Sequence, residues 1–114
     1  MKIFTAYIHE NRYGLGIILL AAIFLLPFLG AFPLIDPDEP VYGQPAREML
    51  AAGDWLSPRI YGQFWYDKPP LFYWLEMISY SLFGISDYTS RLPSAVMGIA
   101  TVATVYVQSR AVFN

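Results

Sequence analysis

The apolar residues of this chain gather in two long uncharged stretches, and its charged residues fall mostly between them. From Tyr13 to Ile35 there are 23 consecutive residues without a charge. At about 1.5 Å per residue, a helix of that length crosses a hydrocarbon core of about 30 Å. A second uncharged stretch, 18 residues from Leu92 to Ser109, is just long enough to do the same. The pattern therefore predicts two transmembrane helices, 13–35 and 92–109. Pro27, Gly30 and Pro33 are expected to loosen the outer half of the first, which a membrane tolerates only where neighbouring protein or water satisfies the freed carbonyls. Small residues at helical spacing in the second, such as Ala100 and Thr104, permit close helix approach. A cleaved signal peptide competes for the first stretch, but the apolar region is longer than such a segment needs, and no small-x-small site precedes the acidic residues that follow.

Between the spans the period changes. Tyr42, Ala46, Met49 and Leu50 recur at helical spacing and Gly53 supplies a stop, which predicts a short amphipathic helix starting near Pro40. From Asp54 to Lys68 there is no helical period. Ser57-Pro58 and Tyr61-Gly62 make this stretch extended or turning, with Trp55, Tyr61, Phe64, Trp65 and Tyr66 available to a membrane interface. Pro69 and Pro70 suit the first turn of another helix, from about Leu71 to Phe83 and ended by Gly84, in which Glu76 is the only charged residue. Too short to span and polar only along a narrow stripe, it is expected to lie at the bilayer surface or against other spans. The fold class that follows is an all-α membrane protein, two transmembrane helices flanking an outer loop with two short interfacial helices.

Composition supports the membrane class: 56% of residues are hydrophobic and only 14% charged, unlike an ordinary soluble domain. The absence of cysteine excludes disulfides, thiolate metal sites and a cysteine nucleophile. A net charge of −2 and the lack of a basic run exclude a nucleic-acid partner. The distribution of charge sets an orientation. Lys2 and Arg12 outweigh Glu10 in the N-terminal tail (1–12), and Arg110 opens the C-terminal end (110–114). The loop (36–91) holds eight acidic residues against four basic ones. The positive-inside rule then puts both tails in the cytoplasm and the loop in the periplasm or an equivalent lumen.

Asp36, Asp38 and Glu39 lie directly after the first span, where the membrane surface meets water. One reading makes Asp38 an N-cap and Glu39 a first-turn acid of the following helix, with Asp36 solvated. The other makes a carboxylate here a general base toward an acceptor hydroxyl or amine, and the two are compatible. Lys68 is the sole lysine of the loop and lies just ahead of a helix N-terminus, where a lipid phosphate would fit; it could equally pair with Asp67. Arg47, beside Glu48, suits either an ion pair or a phosphate contact. His9, on the short tail, has no assigned role. No phosphate-binding glycine loop, dinucleotide fingerprint, zinc-protease motif or nucleophile elbow occurs.

Read in order, the loop contains Asp-Pro-Asp-Glu-Pro-Val-Tyr (36–42), Ala-Arg-Glu-Met-Leu-Ala-Ala-Gly-Asp-Trp-Leu-Ser-Pro (46–58), Asp-Lys-Pro-Pro-Leu-Phe-Tyr-Trp-Leu (67–75), Leu-Phe-Gly (82–84) and Ser-Arg-Leu-Pro-Ser-Ala (90–95). This succession, from about Ile35 to Ala95, resembles the first outer loop of the polyprenyl-phosphate-sugar-dependent membrane glycosyltransferases of the GT-C fold. That group includes the protein O-mannosyltransferases and the lipid A aminoarabinose transferases. The resemblance implies that Asp38 is the base that activates the acceptor, with Glu39 beside it in acceptor positioning. It implies inverting transfer from a polyprenyl-phosphate donor, with Lys68 against the phosphate and Tyr42 and Arg47 as further substrate contacts. A phosphate leaving group needs little protonation, so one carboxylate suffices where glycosidases commonly use two.

Two departures from the family pattern matter. Aminoarabinose transferases read Asp-Glu-x-Arg-Tyr at the first motif, whereas Val41 precedes Tyr42 here, which points away from that subgroup. They also tend to have Glu where this chain has Asp67, so a divalent metal at Asp67 is the one cofactor the resemblance raises. Family members continue through many more spans, so the chain is expected to be the N-terminal fragment of such an enzyme in a bacterial inner membrane, inactive alone. Its partners would be membrane lipid, the donor, an unidentified acceptor and the remaining spans. The alternative is a stand-alone two-span scaffold or lipid-binding protein without catalysis, which the length of the chain favours.

Overall fold

Pro27 decides where the first helix ends. In the computed structural model, which describes residues 11–35 and 37–113, helix α1 runs Arg12–Leu25. His9 and Asp36 lie outside the described residues. The Leu26 amide still donates to the Ala22 carbonyl at 3.0 Å. Pro27 has no N–H to offer Ile23, and the chain turns through residues 28–32, with the Ala31 amide on the Phe28 carbonyl at 3.1 Å. The single helix expected over 13–35 is thus corrected to 14 residues, about 21 Å long. Its outer prolines and glycine end the helix rather than loosen it.

After this turn come α2 (Asp38–Ala52), two short antiparallel strands β1 (Arg59–Ile60) and β2 (Gln63–Phe64), α3 (Pro70–Phe83) and α4 (Asp87–Phe113). Helix α4 is 27 residues, about 40 Å, and among the described residues it alone is both long and apolar enough to cross a membrane. It begins before the uncharged stretch because Ser86 and Thr89 cap it reciprocally. The Thr89 amide donates to Ser86 Oγ at 3.1 Å and the Ser86 amide to Thr89 Oγ1 at 2.9 Å. Pro93 sits inside it and leaves the Thr89 carbonyl without its helical donor; the buried Ser79 hydroxyl of α3 takes that place at 2.7 Å.

The described residues divide into two compact units, 11–27 with 94–113, and 28–35 with 37–93. In the first, α1 and the C-terminal part of α4 run antiparallel. Gly14 lies on the Tyr106 ring, Gly98 lies near Leu25, and Arg110 donates to Asn11 Oδ1 at 2.8 Å. The flanks of this pair carry exposed Leu19, Phe24, Val105 and Val107.

The second unit is built on α2 against α3. Its core is Ala46 and Met49 of α2 with Tyr73, Met77 and Tyr80 of α3, flanked by Tyr42, Leu50 and Trp74. The periodicity in both helices puts these residues on one face, and each large side chain removed from solvent contributes about 1.5–3 kcal/mol. Gly53, at φ 64°, closes α2 as expected, and Gly84, at φ 85°, closes α3. Pro69 and Pro70 open α3. The stripe carrying Glu76 faces the core and not the water. Leu71, Ile78 and Leu82 are exposed on its other side.

A Cβ added at Gly14 would run into the Tyr106 ring. Gly14→Ala should therefore destabilise the α1–α4 pair by about 1–3 kcal/mol, measured by unfolding in detergent. Adding Tyr106→Ala should recover part of that loss, while equal stability of Gly14→Ala and the parent would refute the close approach.

Candidate functional site

The acidic pair of the first motif is divided between two neighbourhoods. Helix α2 begins at Asp38, with Pro37 in the cap position at φ −50°, so Asp38 is the first helical residue and not the expected N-cap. Proline's fixed φ suits the entry to a helix, and both acids fall in the first turn, where free N–H groups favour them. Glu39 turns to Arg91 on α4 in a bidentate ion pair. Nε donates to Glu39 Oε1 and Nη2 to Oε2, both at 2.7 Å.

The rest of the Arg91 guanidinium grips the turn after α1. Nη1 donates to the carbonyls of Leu29 at 2.6 Å and Phe32 at 2.7 Å, and Nη2 to that of Pro33 at 3.1 Å. Its five N–H donors thus make five bonds, three of them to a turn whose carbonyls have left the helix. The Arg91 hydrogen bond holds the Glu39 carboxyl below its ordinary range, and Glu39 raises Arg91 in return. Sequence reading took Arg91 only as the end of the loop. Its appearance inside the Ser-Arg-Leu-Pro-Ser-Ala motif was the available signal.

Lys68 gathers the other expected site residues. Its Nζ lies 3.4 Å from Asp67 Oδ2, and Asp67, through its hydrogen bond, is the main reason the ammonium is held above its ordinary pKa. The field of Tyr42 and of Asp38 acts on Lys68 in the same direction. Tyr42 is fixed by its ring, edge-on to Phe72 with centroids 5.0 Å apart and tilted against Tyr73 at 5.7 Å. Lys68 thus pairs with Asp67 and lies within electrostatic reach of Asp38 and Tyr42 at the start of α2. A carboxylate, a phenol and a cation so related can accept a proton from a nucleophile and balance charge on a departing phosphate.

Arg47, five residues after Tyr42 and so about 140° further round α2, faces another side of that helix. It is exposed and lines a cavity of about 280 Å³ with Gln44, Tyr80, Ser86 and Asp87. Its neighbour Glu48 is used otherwise, accepting from the Tyr61 amide at 2.7 Å, the Gly62 amide at 2.9 Å and Gln44 Nε2 at 2.7 Å. These bonds pin the hairpin turn, where Tyr61 (φ 52°) and Gly62 (φ 77°) are both left-handed. Among the described residues no three His, Cys, Asp or Glu side chains converge. The residues around Asp67 thus do not by themselves make a metal site.

Residues 67–114 match the family model described as dolichyl-phosphate-mannose-protein mannosyltransferase. An arabinosyl transferase of Pseudomonas savastanoi pv. phaseolicola, named for undecaprenyl phosphate-alpha-4-amino-4-deoxy-L-arabinose, is 38% identical over 100 residues, 85% of this chain and 19% of that protein. One of the same name from Aeromonas hydrophila is 42% identical over 63% of this chain and 13% of its own. The crystal structure of ArnT from Cupriavidus metallidurans bound to undecaprenyl phosphate superposes with a TM-score of 0.67 at 30% identity, covering 75% of this chain and 16% of that one. Over these stretches the chain is similar to part of the ArnT-like polyprenyl-phosphate glycosyltransferases. It spans less than a fifth of the length of the relatives named here. Val41 does not set it apart from the aminoarabinose transferases as its motif suggested, since relatives carrying that name are among its matches. Position 41 is half-buried on α2, where valine packs without a charge to satisfy.

Arg91→Gln leaves Glu39 without its fork and three carbonyls without donors, and should cost more than about 2 kcal/mol in thermal unfolding of the chain in detergent. Because Glu39 is held below its ordinary pKa, the stability it contributes is present above that ordinary value and is lost as pH falls through the lowered one. Glu39→Gln should flatten this acid limb; an unchanged limb would show that the pair does not contribute.

Proposed function

We propose that this chain forms the part of a membrane glycosyltransferase that supplies the general base and one side of the lipid-phosphate site. The enzyme moves a sugar from a polyprenyl-phosphate donor to an acceptor with inversion. The carrying observation is that Lys68 lies in the field of Asp38 and Tyr42, within a segment similar to a protein crystallised with undecaprenyl phosphate. The names of the relatives favour undecaprenyl phosphate-4-amino-4-deoxy-L-arabinose as the donor.

In this reading Asp38 takes the proton of the acceptor as its oxygen or nitrogen attacks the anomeric carbon. The bond from that carbon to the phosphate oxygen breaks on the opposite face, and the electron pair leaves with the phosphate. Lys68 balances the charge that develops there. Tyr42 borders the same space, Arg47 offers a second cation along α2, and Glu39 fixes the start of α2 through Arg91. Helix α1 and the uncharged part of α4, residues 92–109, enter the bacterial inner membrane. The acidic segment between them faces the periplasm, a placement supported by the excess of positive charge in the tails.

A chimaera in which this chain replaces the matched part of the Pseudomonas savastanoi relative tests the base. Asp38→Asn should lower transfer by about 10²–10⁴-fold at normal membrane insertion. Undiminished turnover removes Asp38 from the role. For the chain itself, Lys68→Ala should weaken binding of undecaprenyl phosphate in mixed micelles by about tenfold. Unchanged affinity sinks the phosphate assignment.

A further inference from the structure

Glu76 is an acid buried where α2 packs on α3. It is 1% exposed on the buried face of α3 that also carries Tyr73, Met77 and Tyr80. Its Oε1 accepts from the Ser90 hydroxyl at 2.7 Å, and its Oε2 has no partner. Ser90 is itself 4% exposed and lies in the first turn of α4. The next residue, about 100° further round that helix, is Arg91, whose guanidinium holds Glu39 and the carbonyls of Leu29, Phe32 and Pro33. Glu76 thus holds one side of the turn whose adjacent side fixes the start of α2.

We propose that Glu76 is a positioning residue. By holding Ser90 it sets the first turns of α4 so that Arg91 meets Glu39 and keeps Asp38 in place at the head of α2. The part of this that concerns transfer rests on the reading of Asp38 as the base; the mechanical part does not.

The surroundings make the arrangement sensitive to protonation. From α3, Tyr73 and Tyr80 face the acid, and burial pushes both phenols up to about 12, so they are neutral near pH 7. From α2, Tyr42 acts on Tyr73 and Arg47 on Tyr80, and from α4 Asp87 acts on Tyr80. Among the described residues no cation pairs with Glu76. Burial raises its carboxyl from 4.5 to about 7, with the Ser90 bond opposing. A raised folded pKa means that the closed arrangement is fully favoured below about 4.5 and loses that support as pH rises through about 7.

Hydrogen exchange of the whole chain in detergent, divided by the intrinsic exchange rate at each pH, tests this on the peptide spanning residues 28–42. In the parent the opening constant should rise roughly tenfold per pH unit between about pH 5 and 7 and level off above. Glu76→Gln, whose amide oxygen still accepts from Ser90, should stay protected with no such slope. Ser90→Ala removes the bond that lowers the Glu76 pKa, and should reduce protection and move the levelling point to higher pH. A slope that persists in Glu76→Gln overturns the proposal. So does a slope confined to α3 and absent from 28–42, or its absence from the parent. Exchange is read without donor or acceptor, so loss of the catalytic reading would leave these outcomes unchanged.

Discussion

Backbone carbonyls released from helices must find donors, and much of the second unit follows from that requirement. Proline raises that requirement at two places, by ending α1 and by interrupting α4. After Pro27 the chain leaves α1, and the carbonyls of Leu29, Phe32 and Pro33 are gathered by Arg91. Pro93 frees the Thr89 carbonyl inside α4, and Ser79 covers it from α3. One arginine and one serine therefore fasten the entry to α2 and the face of α3 to the same short stretch of α4. The ion pair to Glu39 belongs to this system, and a guanidinium with all its donors engaged has one geometry open to it.

That fastening explains why neighbouring acids do different things. Glu39 is committed to Arg91, whereas Asp38, one residue earlier and so on another side of α2, lies within the field of Lys68. The aromatic packing of Tyr42 on Phe72 and Tyr73 ties the same turn of α2 to α3, and α3 is preceded directly by Asp67 and Lys68. The cluster is thus supported on both sides by helices with a shared core. Its parts arrive from residues 38–42 and 67–68 without a catalytic loop of their own.

Much of this was legible in the chain. The spacing of Tyr42, Ala46, Met49 and Leu50 marks the inward face of α2, and Gly53 and Gly84 stop their helices because they supply the left-handed backbone required. Asp38, Lys68 and Tyr42 were proposed from an ordered set of motifs, and Asp38 and Tyr42 act electrostatically on Lys68. Arg47, proposed with them, lines a cavity with Tyr80 and Asp87. The end of α1 was misjudged because an uninterrupted run of uncharged residues outweighed the prolines within it. The hairpin escaped notice because its strands are two residues each and Tyr61 adopts a left-handed backbone rare outside glycine, asparagine and aspartate. Arg91 with Glu39 is a pairing across 52 residues, which local pattern does not disclose. Glu76 was read as polar because it is charged. Only the packing of α3 shows that it points inward.

The hairpin carries a different kind of consequence. Two strands of two residues would not persist in water alone, and this pair borrows its shape from α2, because Glu48 takes both amides of its turn and Asp54 takes the Leu56 and Ser57 amides and the Arg59 guanidinium. Phe64 lies under the Arg59 guanidinium, 5.0 Å from its ring centroid, and stacks on Tyr66, whereas the exposed Tyr61 is held through its backbone N–H alone. Scaffold and display are therefore separable at Tyr61. Its outward ring can be exchanged in kind while the carboxylates beneath keep the ribbon in place, which makes this position open to diversification at little cost to the fold.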